Sequence, residues 1–148
     1  VSGPGRILVD ADACPARELL VREARHRGLA VVMVCDTSHR IDDGYSTVIV
    51  VDQARDSADV RLANLMRPGD LVVTQGYALA LGRGCRALHP TGMEYTAQNI
   101  DRLLLERHLG QKARRAGKRC APVKKRTSGD DRAFAAALRA ILDAAGPI

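Results

Sequence analysis

The sequence predicts an α/β fold, a three-layer α/β/α sandwich built on a mostly parallel sheet. Three observations carry that reading. Short β-branched runs alternate with helix-patterned segments along the 148 residues. The runs are apolar throughout and lack in/out alternation, which marks strands buried on both faces and hence a parallel sheet. Each run is bounded by Gly, Asp or Pro, the residues that punctuate regular structure. A chain of this length suits one domain over residues 1–148. With 46% hydrophobic and 27% charged residues, the composition excludes disordered and membrane classes. Aromatics are only 3% and Trp is absent, so the core must be aliphatic and a base-stacking platform is not expected.

The elements follow in order. ILVD (7–10) is the first strand. Pro15 fits the first position of a helix running to about Arg27, with Gly28 as its stop. AVVMVC (30–35) and STVIVVD (46–52) are the second and third strands. Ser57 caps a second helix through Met66, which Pro68-Gly69 ends. DLVVT (70–74) is the fourth strand, a short helix covers about 77–82, and CRAL (85–88) is a fifth strand. Thr96 caps a longer helix whose Ile100, Leu103, Leu104 and Leu109 keep helical spacing up to Gly110. Ser128-Gly-Asp-Asp131 opens the closing helix with a capping box, and Phe134, Leu138, Ile141, Leu142 and Ala145 form its apolar face. Right-handed crossovers join the parallel strands.

Net charge is +6, and it is confined to one segment. Between Arg107 and Arg126 stand nine basic residues and no acid; the other 128 residues carry 14 basic and 17 acidic side chains. Lys112, Arg114, Arg115, Lys118, Arg119, Lys124, Lys125 and Arg126 are therefore candidate contacts to a polyanion such as RNA, where neutralised phosphates release counterions. A solvated helix end and loop is the bland alternative. No run approaches a membrane span, the opening VSGPGR lacks the apolar core of a signal peptide, and Val1 in place of Met reads as a trimmed end. A cytoplasmic protein without a membrane partner is expected. Cysteines 14, 35, 85 and 120 show no C-x-x-C spacing, so reduced thiols are expected rather than a zinc site or disulfides.

Open parallel sheets bind ligands at the carboxyl ends of their strands. Here the strand ends carry Asp10 and Asp12, Asp36, Asp52 and Asp56, then Thr74 and Gln75. Carboxylates sharing a crevice repel one another, and a hard divalent cation, Mg²⁺ or Mn²⁺, relieves that repulsion. Asp10 and Asp12, two residues apart at the end of a buried strand, have no packing role and point to function. Asp56 and Asp59 flank the Ser57 cap and either join the site or answer the helix dipole. Asp36 and Asp52 read as turn residues.

ILVDADACP (7–15), RDSADV (55–60), GDLVVTQ (69–75), HPTGMEYTAQNI (89–100) and DDRAF (130–134) together resemble the YaiI/YqxD family of uncharacterised bacterial proteins. The resemblance spans nearly the whole chain in order. It implies a PIN-like fold, shared with metal-dependent ribonucleases that gather acids at the carboxyl edge of a parallel sheet. Asp10 and Asp12 match the first acidic motif, Asp56 and Asp59 the second, and Thr74-Gln75 the third. Gly76 stands where the family usually has an acid, and the helix after it is about one turn shorter than usual. Asp131 matches an acid near the family's C-terminus and also fits a first-turn helix acid.

The leading expectation is a divalent-metal-dependent endoribonuclease. In it Asp10, Asp12 and Asp59 are the metal ligands, Asp56 helps to orient the nucleophile, and Thr74 and Gln75 hydrogen-bond the attacked phosphate. The alternative is a nucleic-acid-binding PIN-like protein whose metal site is degraded at Gly76. A third reading is an aspartyl-phosphate phosphatase with Asp10 as nucleophile, although a helix starting at Pro15 leaves no room for the usual flap. Cys14 is expected to pack or cap. No motif for a nucleotide cofactor is present.

Overall fold

The computed structural model describes residues 5–36, 41–52, 58–75, 85–96 and 125–144, together with positions 99, 101, 102, 105, 106, 108 and 109. It is an α/β structure on a six-stranded, mostly parallel sheet. The elements are β1 (Arg6–Asp10), a single 3-10 turn (Ala11–Ala13), α1 (Arg17–Arg27), β2 (Ala30–Asp36), β3 (Thr47–Val51), α2 (Ala58–Leu65), β4 (Leu71–Val73), β5 (Arg86–Leu88), β6 (Glu94–Tyr95) and α3 (Ser128–Ala144). The strand order is β3-β2-β1-β4-β5-β6. All neighbours are parallel except β5 and β6. β1 lies at the centre, with Asp10 beside Val34 and Val9 beside Val73.

The central strands are apolar on both faces because both faces are covered. Ile7 and Val9 of β1, Met33 and Cys35 of β2 and Val73 of β4 pack with Leu20 and Ala24 of α1 and with Phe134, Leu138 and Ile141 of α3. The intervening Leu8, Val32, Val34 and Val72 pack with Leu62 of α2 and with Met66. Successive residues alternate between faces, as the pleat requires. β3 departs from expectation: its VIVV run is only partly buried, because it is the edge strand and has a neighbour on one side only.

Two helix boundaries are corrected. α1 begins at Arg17, not Pro15, because Ala16 takes the N-cap position and accepts from the Leu20 amide at 3.0 Å. Its end agrees: Gly28 adopts the left-handed conformation at φ 69°, where a Cβ is disfavoured. At α3 the cap is Thr127, not Ser128. The Asp130 amide donates to Thr127 Oγ1 at 3.3 Å, and the Thr127 amide donates to Asp130 Oδ2 at 2.8 Å. Leu109 is helical but exposed, so it does not belong to the core. The Thr96 cap is formed by a reciprocal pair with Asn99, at 2.9 and 3.2 Å. Ser57, the segment 77–82, Ile100, Leu103, Leu104 and Ala145 lie outside the described residues.

The β5–β6 hairpin had no counterpart in the sequence reading. Its turn runs His89-Pro90-Thr91-Gly92, closed by the Gly92 amide on His89 O at 2.9 Å, with the His89 amide on Met93 O at 2.7 Å. Gly92 has φ 97° and presses on α3: a Cβ there would lie 2.7 Å from Ala133 O. Arg126 fixes the same turn from the other side, donating to Pro90 O at 2.7 Å.

Candidate active site at the carboxyl edge of the sheet

In this strand order the chain leaves β1 toward β2 and β3, then returns to β4 on its other side, which makes the carboxyl ends of β1 and β4 the topological switch point of the sheet. Alternation determines what faces it. Asp10 is in register with Val34, and Asp36 with Val51; both partners belong to the α2-side core. Thr74 follows Val73, a residue of the opposite core, and its amide continues the ladder onto Leu88 O at 3.2 Å. Asp10, Asp36 and Thr74 therefore share one face, at the ends of three adjacent strands whose neighbours lie about 4.8 Å apart.

All three are buried, at 8%, 7% and 3% relative exposure. Among the described residues only one other polar side chain is as buried, Asp70. Asp70 is accounted for by Arg6 at 3.2 Å and by the Arg67 amide at 2.9 Å. Two carboxylates and a hydroxyl are thus buried at the ends of adjacent strands at the switch point. Asp36 is thus not a turn residue. It ends β2 and faces the same side as Asp10. Asp52, one residue past β3, is exposed.

Asp12 is exposed and does a different job from Asp10. Its Oδ2 accepts the Asp36 amide at 2.9 Å, tying the turn after β1 to the end of β2. Arg17, from the first turn of α1, closes the same corner by donating to Ala11 O at 2.9 Å. Cys14 and Cys35 lie beneath it, both buried. Burial raises both thiols. For Cys35 the Asp12 and Asp36 charges push the same way, and Asp10 does so for Cys14. Both are protonated packing groups, and Cys14, Cys35 and Cys85 are all free.

Gln75 is exposed beside Thr74. Tyr95 supports that end of β4 by donating to Thr74 O at 3.1 Å. Asp59 lies in the first turn of α2; Asp56 and Gly76 fall outside the described residues. Of the basic candidates, Lys112, Arg114, Arg115, Lys118, Arg119 and Lys124 also fall outside them, and Lys125 is exposed. Arg126 is bound to Asp131 at 2.8 Å and to Pro90 O, so it holds the hairpin to α3. Asp131 is the other half of that pair.

Two residues at this edge escaped the sequence reading. Arg17 stands inside the DADACPAR string, but a side chain reaching back six residues leaves no periodic trace. His89 follows β5 directly, and its Nδ1 accepts the Thr91 amide at 3.1 Å, which fixes the proton on Nε2. Burial, then the Arg126 charge, lowers its pKa below the usual histidine value.

Comparison with known proteins now bears on the site. A family model described as "Uncharacterized BCR, YaiI/YqxD family" matches residues 8–144. The chain belongs to the YaiI/YqxD family. A UPF0178 protein of Ruminiclostridium cellulolyticum is 53% identical over 136 residues, covering 90% of this chain and 89% of its own. UPF0178 proteins of Alkaliphilus oremlandii and Lachnoclostridium phytofermentans are 44% and 43% identical, over 87% and 93% of this chain and 85% and 96% of theirs. No solved structure matches. The family match begins at Leu8 and ends at Ala144, so it takes in Asp10, Asp36, Thr74, the hairpin and α3. Among the described residues, no helix is long and apolar enough to cross a membrane.

Proposed function

We propose that this YaiI/YqxD protein is a cytoplasmic, divalent-metal-dependent endoribonuclease with a three-layer, PIN-like architecture. The observation that carries the reading is the burial of Asp10, Asp36 and Thr74 on one face of the sheet at its topological switch point. The donor set is hard oxygen, which suits Mg²⁺ or Mn²⁺ and not zinc. Among the described residues no three His, Cys, Asp or Glu side chains form a metal-holding group; Mg²⁺ commonly uses only one or two carboxylates plus waters. Asp10 and Asp36 would hold the ion, with Asp59 from α2 as a further ligand. When bound, it supplies Lewis-acid stabilisation of charge on the attacked phosphodiester and lowers the pKa of a water. Asp12 keeps the ends of β1 and β2 in register, and Thr74 offers its hydroxyl to a phosphate oxygen.

The test is cleavage of single-stranded and structured RNA in Mn²⁺. Asp10→Asn and Asp36→Asn are each expected to lower the rate at least 100-fold with the fold intact by circular dichroism. Equal cleavage by wild type and Asp10→Asn would assign the activity to a contaminant. A second reading, an RNA-binding protein with a degraded site, is favoured by Gly76, which follows Gln75 where the resemblance leads one to expect an acid. It predicts RNA binding without turnover. The aspartyl-phosphate reading is disfavoured, since only residues 11–16 separate β1 from α1.

A further inference from the structure

We infer that the outer face of α1 is a phosphate-backbone track for single-stranded RNA, leading away from the acidic edge. This rests on the ribonuclease reading for the identity of the polyanion, and it assigns binding to a surface other than the 107–126 segment. Two cavities, of about 320 and 530 Å³, lie end to end along α1 and share Glu18 and Arg22. The smaller begins at Pro15 and Arg17, beside the turn that carries Asp12, and the larger continues past Arg25 and His26. At 1.5 Å per residue, Arg17 to Arg25 spans about 12 Å.

The charge pattern of the helix separates this face from its neighbour. Between α1 and the C-terminal half of α3 the arginines are paired: Arg27 with Glu23 at 3.0 Å and Asp143 at 2.6 Å, and Arg139 with Glu23 at 3.2 Å. Along the cavities, Arg17, Arg22 and Arg25 have no carboxylate within ion-pair distance among the described residues. Of the three acids of the lining, Glu18 is exposed and the other two are already engaged. Asp131 holds Arg126, and Asp43 accepts from the Tyr45 amide and from the Ser46 amide and hydroxyl at 2.7 to 2.8 Å. Arg25 is held in place, 5.2 Å over the Tyr45 ring and 3.1 Å from Asp43 O. Guanidinium groups match phosphate oxygens in a fork geometry. With Arg25 lying over the Tyr45 ring and arginines as the contacts, the track recognises backbone without sequence preference.

The test measures binding of a single-stranded uridine oligonucleotide of about 12 residues by fluorescence anisotropy, in EDTA, across a salt series. Each single-strand phosphate contact contributes about 0.7 to the slope of log K against log salt. Arg22→Gln combined with Arg25→Gln should therefore flatten the slope by about 1.4. Arg61→Gln with Arg67→Gln, an equal loss of exposed charge elsewhere, should leave it unchanged. An unchanged slope in the first pair, equal loss in both pairs, or no binding by wild type each overturns the track. Asp10→Asn separates the two ideas. If it abolishes cleavage while Arg22/Arg25 substitution leaves binding intact, the nuclease reading stands without the track. Binding that depends on Arg22 and Arg25 without turnover by wild type leaves the track standing and the nuclease reading fallen.

Discussion

Gly92 occupies a position no other residue fits. Its φ of 97° disfavours any Cβ, and a Cβ would also meet backbone, Ala133 O at 2.7 Å and Ala133 C at 2.8 Å, which cannot swing aside as a side chain would. Gly92→Ala should therefore cost about 2 to 3 kcal/mol, read as a lower urea midpoint with an unchanged slope. His89 gives a pH signature. Its folded pKa lies below its unfolded value near 6.5, so between the two the unfolded chain binds more protons and stability rises with pH. The His89 contribution is complete above about 6.5 and disappears as pH falls through the folded pKa. His89→Asn, which retains an acceptor for the Thr91 amide, should flatten that part of a thermal-melting profile against pH; a profile identical to wild type would remove His89 from the account. At this scale Asp10 was legible because an acid ending an apolar run has nothing local to explain it. Asp36 was not, because an Asp before a loop fits a turn equally well, and only register with Val51 turns it inward.

Helices were legible to within two residues because their ends are written in local chemistry, and the errors show where that chemistry is degenerate. Both Ser128-x-x-Asp131 and Thr127-x-x-Asp130 have capping-box spacing. The second forms, and Asp131 is thereby released to bind Arg126. Asp130→Ala should cost about 1 kcal/mol in chemical denaturation. Ser128→Ala should cost a few tenths at most, and the reverse ranking would restore Ser128 as the cap. Strand order is not a local property. The VIVV run of β3 has the composition of a central strand but lies at the edge, and β6 has only two residues, too few for any period to register. The hairpin that carries β6 matters to the edge all the same, since Tyr95 bonds Thr74 O while Arg126 and Gly92 fix the turn to α3.

At the scale of the molecule, the expectation of acids along the carboxyl edge divides into parts with different roles. Asp10 and Asp36 are each buried, Asp12 ties two strands, and Asp52 is exposed. The β3-β2-β1-β4 order makes this division by setting β1 and β2 side by side with β4 across the switch point. A divalent ion held by Asp10 and Asp36 would bind the folded chain and not the unfolded one. Wild type should therefore melt higher in Mn²⁺ than in EDTA. At 100 times the dissociation constant the gain is about 2.7 kcal/mol, equivalent to about 8 °C for a domain of this size. Asp10→Asn removes one of the proposed ligands, so it should gain little from Mn²⁺. Differential scanning calorimetry of both proteins under both conditions gives four values of Tm. If Mn²⁺ raises the variant as much as wild type, the ion binds elsewhere and the Asp10–Asp36 edge is not its site.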